Sequence, residues 1–106
     1  MIYYYIPSNI LHIDLSSNKF WIEKRQDLFE KHIGGTGIAI QLLQENFPKG
    51  CDPFSPENAI VFIVGPLTCL FPLASKTIAM FKSPHTGNFG ESHYGGRSAI
   101  AIRMAG

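Results

Sequence analysis

Cysteine is scarce: Cys51 and Cys69 are the only two in 106 residues. Two are too few for a disulfide scaffold, and their spacing matches no zinc or iron–sulfur pattern, so both are expected as small buried thiols. Net charge is nearly absent. Nine Lys and Arg stand against eight Asp and Glu, without a basic cluster or basic helix, and that balance excludes a dedicated nucleic-acid binder. No apolar run approaches the ~20 residues of a membrane span. Met1 to Pro7 lacks both a basic start and an apolar core followed by a small-residue cleavage site, so a cytoplasmic protein with no membrane partner is expected. A reaction centre is missing as well: no Cys, His and carboxylate cluster has metal-ligand spacing, and no Gly-x-Ser-x-Gly elbow appears.

What the chain has is apolar content, 45% of its residues, enough for a real core and most simply one domain over residues 1–106. Ile10, His12 and Asp14 alternate with Leu11, Ile13 and Leu15, the period of a half-buried strand. Ser16-Ser17-Asn18 is a turn and Phe20-Trp21-Ile22 a second strand, so residues 10 to 23 read as a β-hairpin with His12 on its solvated face. Asp27 and Glu30 resemble a capping box opening a short helix, with Leu28, Phe29 and Ile33 as its apolar face, His32 at its surface and Gly34-Gly35 at its end. A second helix opens at Thr36-Gly37, buries Ile38, Ala39, Leu42, Leu43 and Phe47, and stops at Pro48. After a proline-rich loop, Ile60 to Val64 is an apolar run that fits a strand buried on both faces at the centre of the core. Lys76 to Lys82 and Asn88 to Tyr94 are further strands. Arg97 to Ala105 reads as a last helix, with Ile100 and Met104 at helical spacing and Gly106 as its cap. The fold class is α+β.

Glycine and base gather in the last third. Gly65-Pro66-Leu67-Thr68, Lys82 to Gly87 and Tyr94-Gly95-Gly96-Arg97 each lie at a strand end and are rich in residues that set unusual backbone angles and leave N–H groups free. From Pro66 onward, Lys76, Lys82, Arg97 and Arg103 face Glu91 alone. Loops of that kind hold polyanionic small molecules. The expected rim is Lys76, Ser83, Thr86 and the backbone around Gly87 and from His93 to Gly96. Gly34-Gly35-Thr36-Gly37 also turns into a helix, but it lacks the preceding strand and third glycine of a dinucleotide fingerprint and the Gly-Lys-Ser/Thr ending of a P-loop. Tight packing is its better reading. Glu91 and His93 share a strand face and have the chemistry of an acid/base pair, though surface charge is the commoner cause of such spacing.

Five ordered blocks carry a resemblance: Gly34 to Gly37, Asp52 to Asn58, Gly65 to Thr68, Lys82 to Gly87, and Tyr94 through Gly106. Together they resemble the N-terminal domain of the tungsten-containing aldehyde ferredoxin oxidoreductase family, from about Ile10 to the last residue. The resemblance implies a β-rich base with about three helices packed on the sheet, in a domain that family members continue past the position of Gly106. It implies glycine-rich loops that hold the two pterin dithiolenes of a tungsten (or molybdenum) cofactor and their phosphates, bridged by magnesium. By the same resemblance, Lys76 stands where the family usually has a pterin-contacting arginine. His93 stands where many members have an asparagine whose backbone carbonyl reaches the magnesium. Ser83, Tyr94, Gly95, Gly96 and Arg97 fall in cofactor-binding loops, and Cys69 takes the place of a usual glycine. The ligands of the family's four-iron four-sulfur cluster and its general acid/base residues fall outside the matched stretch, so neither iron–sulfur ligands nor catalytic residues are expected in this chain.

Three functional readings follow. In the preferred one, the chain cradles the cofactor of an oxidoreductase that takes an aldehyde and water to a carboxylic acid and passes two electrons to ferredoxin, with the remainder of the enzyme or a homologous subunit as partner. In the second it is a stand-alone pterin or nucleotide-binding module, with Lys76, Lys82 and Arg97 meeting phosphates. In the third it is a structural or interaction domain that has lost its ligand. A homo-oligomer is also expected, because an uncovered sheet edge and apolar surface at Ile100 and Met104 invite self-association.

Overall fold

The computed structural model describes residues 8–106; Met1 to Pro7, read above for its lack of an export signal, lies outside the described residues. Strands β1 (Asn9–Asp14) and β2 (Lys19–Lys24) form the expected antiparallel hairpin. Its turn is set by Asp14, whose carboxylate accepts the Ser16 N–H at 2.9 Å and the Ser17 hydroxyl at 2.8 Å, and by Asn18 at φ 54°, a left-handed conformation that Asn tolerates. Helices α1 (Gln26–Lys31) and α2 (Gly35–Asn46) follow. Then β3 (Val61–Val64), β4 (Thr77–Lys82) and β5 (Phe89–Tyr94) build an antiparallel sheet in the order β3-β4-β5, and α3 (Ser98–Met104) closes the series. This is the α+β class that the sequence indicated. Among the described residues no helix is long and apolar enough to cross a membrane.

Alternation along β4 sends Ile78 and Met80 to one face and Thr77 and Ala79 to the other. On the first face α2 lays Ala39 and Leu43 against Met80, with Val61, Ile63 and Ile78 around them. Leu28 of α1 joins Ile38 and Leu42 in an adjoining cluster. Leu43 is fully buried and contributes on the order of 1.5–3 kcal/mol. On the second face α3 meets the sheet through a 2.9 Å hydrogen bond between Ser98 Oγ and Thr77 Oγ1, with Thr77 and Ala99 fully buried.

Several expectations are corrected. Val61 and Ile63 pack against both core clusters, but β3 is an outer strand of the sheet and its Phe62 is 57% exposed where burial on both faces was expected. Its side of the sheet meets the seven-residue α3, which buries the small Ala99 and leaves Ile100 and Met104 exposed. The Leu11, Ile13 and Leu15 side of the hairpin is exposed, whereas His12 is half-buried, stacked on Trp21 and bonded to Glu23. Asp27 does not cap α1; its carboxylate accepts two hydrogen bonds from Arg25, which precedes the helix, and Ile33 lies beyond it in solvent. His32 packs on α2 with Nε2 buried instead of lying at the surface. Cys51 is half-buried and Cys69 exposed, since both sit in loops outside the layers.

Candidate functional site

Antiparallel pairing gathers three chain exits at one end of the sheet. Val64 lies opposite Thr77, and Thr77 opposite Tyr94, so the Gly65–Thr68 loop, Lys76 and the Gly95–Arg97 segment leave together. Helix α2 starts at the same end. A Cβ on Gly35 would stand 2.8 Å from the Val64 carbonyl oxygen, so only glycine lets helix and strand approach this closely. Gly37 leaves room for the His32 ring in the same way. The Gly34 to Gly37 run therefore serves packing.

The Lys76 side chain is exposed and reaches over Gly95: a Cβ there would be 3.3 Å from Nζ. Gly96 turns the chain at φ 108°, placing Arg97 at the start of α3, and the Thr77–Ser98 hydrogen bond pins that turn to the sheet. Among the described residues neither Lys76 nor Arg97 forms an ion pair. Two unneutralised cations beside an uncovered glycine backbone fit a phosphate-bearing group. His93 belongs to the outer strand, where every second backbone carbonyl points away from its neighbour. Its ring lies 3.3 Å from the Glu91 carboxylate, with both side chains about half exposed, which makes a surface pair rather than an enclosed acid/base couple. No three His, Cys, Asp or Glu side chains among the described residues are grouped so that they could hold a metal ion.

The expected rim divides into two places. Ser83, Thr86 and Gly87 lie in the β4–β5 turn, at the far end of six-residue β4, roughly 20 Å from Lys76 at ~3.3 Å per residue. There Ser83 Oγ accepts the His85 N–H at 3.2 Å, Thr86 Oγ1 accepts the Asn88 N–H at 3.2 Å, and Gly87 sits at φ 71°. One phosphate cannot touch both ends. Lys82 belongs to the turn end too, where its ammonium donates to the Cys51 carbonyl at 2.8 Å and lies 5.1 Å from the Phe47 ring centre. It ties down the proline-rich loop at the end of the sheet away from Lys76. Thr77 and Ser98, which position the Gly95–Arg97 turn, were missed; a threonine heading an apolar strand and a serine after Gly-Gly-Arg carry no distinctive sequence signal.

The chain's relatives bear on the same region. It is 33% identical over 99 residues to the tungsten-containing aldehyde ferredoxin oxidoreductase of Pyrococcus horikoshii, covering 92% of this chain and 16% of that protein. It is 27% identical to the WOR-like subunit of an aliphatic sulfonate oxidoreductase of Pyrococcus furiosus, covering 97% of this chain and 17% of that subunit. In structure it is similar to a chain of the active site complex BamBC of benzoyl coenzyme A reductase in complex with 1,5 dienoyl-CoA, with a TM-score of 0.86 and 30% identity over 96% of this chain and 16% of that one. The chain thus spans about a sixth of the length of the proteins it matches. With the family model described as aldehyde ferredoxin oxidoreductase, N-terminal domain, matching residues 10–106, the chain belongs to that family.

Proposed function

We propose that the chain is the cofactor-cradling part of a tungsten oxidoreductase of the aldehyde ferredoxin type. The observation that carries this reading is the pair of cations that form no ion pair among the described residues, Lys76 and Arg97, flanking the Gly95–Gly96 turn at the common end of β3, β4 and β5. Lys76 holds an anionic oxygen through its ammonium as a point charge, without the planar fork of an arginine. Arg97 supplies such a fork on the other side, and the backbone of Tyr94, Gly95 and Gly96 lines the space between. The His93 backbone carbonyl, one residue earlier, is the magnesium ligand in this reading. Ser83 belongs to the distant turn and does not reach a phosphate held by Lys76. A tungsten–pterin cofactor supplies two-electron redox chemistry when bound; this chain's share is to bind and orient its phosphate-bearing end. Oxidation of an aldehyde to a carboxylic acid and reduction of ferredoxin belong to the complete enzyme, which this chain forms with further polypeptide.

Calorimetric titration with pyrophosphate and with a molybdopterin-type ligand tests the cradle. Lys76→Ala is expected to weaken binding by about 1.5–3 kcal/mol, the range for a hydrogen bond to a charged group. Ser83→Ala is expected to change nothing. Equal affinity in parent and Lys76→Ala would mean that the ammonium is only a solvated strand end.

A further inference from the structure

The hairpin presents two unlike faces. On one, Trp21 stacks on the His12 ring with centroids 4.9 Å apart and planes 4° from parallel, and His12 Nε2 meets Glu23 at 3.0 Å. Arg25, just after β2, bonds Glu45 of α2 at 2.8 Å. These contacts fix which way the hairpin faces, because a one-residue slip in register would break the stack and turn every side chain over. The other face is apolar over its two central pairs, with Asn9 opposite Lys24 at its open end. It sets Leu11 opposite Ile22 and Ile13 opposite Phe20, with exposures of 58%, 66%, 63% and 72% in that order. A hollow of about 330 Å³ opens between Leu11, Ile13 and Phe20.

A sheet with one wet face normally keeps its apolar side covered. Here the partnered face is the polar and aromatic one, and the bare face is the apolar one. We infer that this bare face is a docking surface for an apolar surface of the polypeptide that, in the relatives, lies outside the sixth matched by this chain. The inference rests on the reading of the chain as one part of a larger enzyme. The occupant follows from proportion and shape. The same unit, superposing at a TM-score of 0.86, is 16% of a much longer chain, and each relative described above has about five-sixths of its length outside the matched unit. The hollow is lined by Leu11, Ile13 and Phe20 together with Asp14, Asn18 and Lys19 of the turn, so it takes an apolar side chain that protrudes from a surface with polar groups beside it. Two copies of this chain would bring hollow against hollow and leave a void that close packing does not tolerate.

Co-expression with the Pyrococcus horikoshii relative, after deletion of its own matched 99 residues, tests the surface. The expected result is an equimolar complex by sedimentation, with slowed amide exchange across β1 and β2. The double variant Ile13→Thr/Phe20→Thr keeps strand-compatible residues at exposed positions, so exchange in β3 to β5 should match the parent, while the complex weakens by at least about tenfold. Leu73→Ser, which removes a bare apolar side chain elsewhere, should leave it unchanged. A complex indifferent to the double variant overturns the proposal, as does no complex with the parent, or a parent chain that protects β1 and β2 by pairing with itself. Pyrophosphate titration of the same samples separates the two readings: docking without phosphate binding defeats the cradle alone, and phosphate binding without docking defeats the surface alone.

Discussion

Gly95 and Lys76 share one space: a Cβ at position 95 would stand 3.3 Å from the Lys76 ammonium nitrogen. The contact is tight but soft, because that nitrogen ends a flexible chain. Gly95→Ala is therefore expected to leave unfolding free energy within about 0.5 kcal/mol of the parent while displacing Lys76 and weakening pyrophosphate binding. A thermal melt beside a titration checks both halves; a large loss of stability would mean that Gly95 serves the fold and not the rim.

Gly35 gives the opposite result. Its absent Cβ would meet the Val64 carbonyl at 2.8 Å, and neither helix nor strand backbone yields easily. Gly35→Ala should destabilise by about 1–3 kcal/mol, the usual cost of overpacking. Gly34→Ala, with nothing within 4 Å, is the control and should shift the denaturation midpoint little.

Cys69 holds φ 65° in the loop after β3, a conformation costing an L-residue roughly 1–2 kcal/mol, part of which glycine gives back as chain entropy. Cys69→Gly is expected to stabilise by about 0.5–1 kcal/mol in urea unfolding, and Cys69→Ala not at all. Equal midpoints for the two variants would show that the strain is relieved elsewhere.

How much of this was legible beforehand differs by residue. β4 and β5 were readable because β-branched and aromatic runs end in Gly, Ser and Pro; α2 was readable because Ile38, Ala39, Leu42 and Leu43 recur at helical spacing. Leu11, read from alternation, and Phe62, read from a continuous apolar run, were misread because either pattern shows which side chains are apolar and not whether anything covers them. Lys76 beside Gly95 was legible as composition, but the distance that parts them from Ser83 came only with the direction of β4. Asp27 was misread because Arg25, two residues before it, outcompetes the helix N–H groups for its carboxylate.

That competition sets a pH dependence. The Arg25 guanidinium holds Asp27 and Glu45 below their ordinary values of 3.8 and 4.5, its side-chain hydrogen bonds being the largest cause for each. A carboxyl group lowered on folding contributes stability fully above its unfolded value and loses it as pH falls through the folded one. Acid unfolding should therefore be progressive from just above pH 4.5 downward, and Arg25→Ala should flatten that slope by lowering stability at neutral and alkaline pH while the two proteins converge at the acid end. Urea midpoints taken across this range decide it; parallel curves for parent and variant would discount the Arg25 links.

The 106-residue chain alone is expected not to oxidise aldehydes, since Glu91 and His93, the acid/base candidates that the sequence offered, are both about half exposed. Dye reduction with an aldehyde by the purified chain, without added protein, would contradict this and bring Glu91 and His93 back as candidates.

Every strand here pairs with a strand next to it in sequence: β1 with β2, β3 with β4, β4 with β5. Contacts so local in the chain close small loops and carry little entropic penalty in reaching the native arrangement. Such a unit is suited to folding quickly, without waiting for distant segments of chain to meet. The glycine turn beside Lys76 and Arg97 is then among the features in place early.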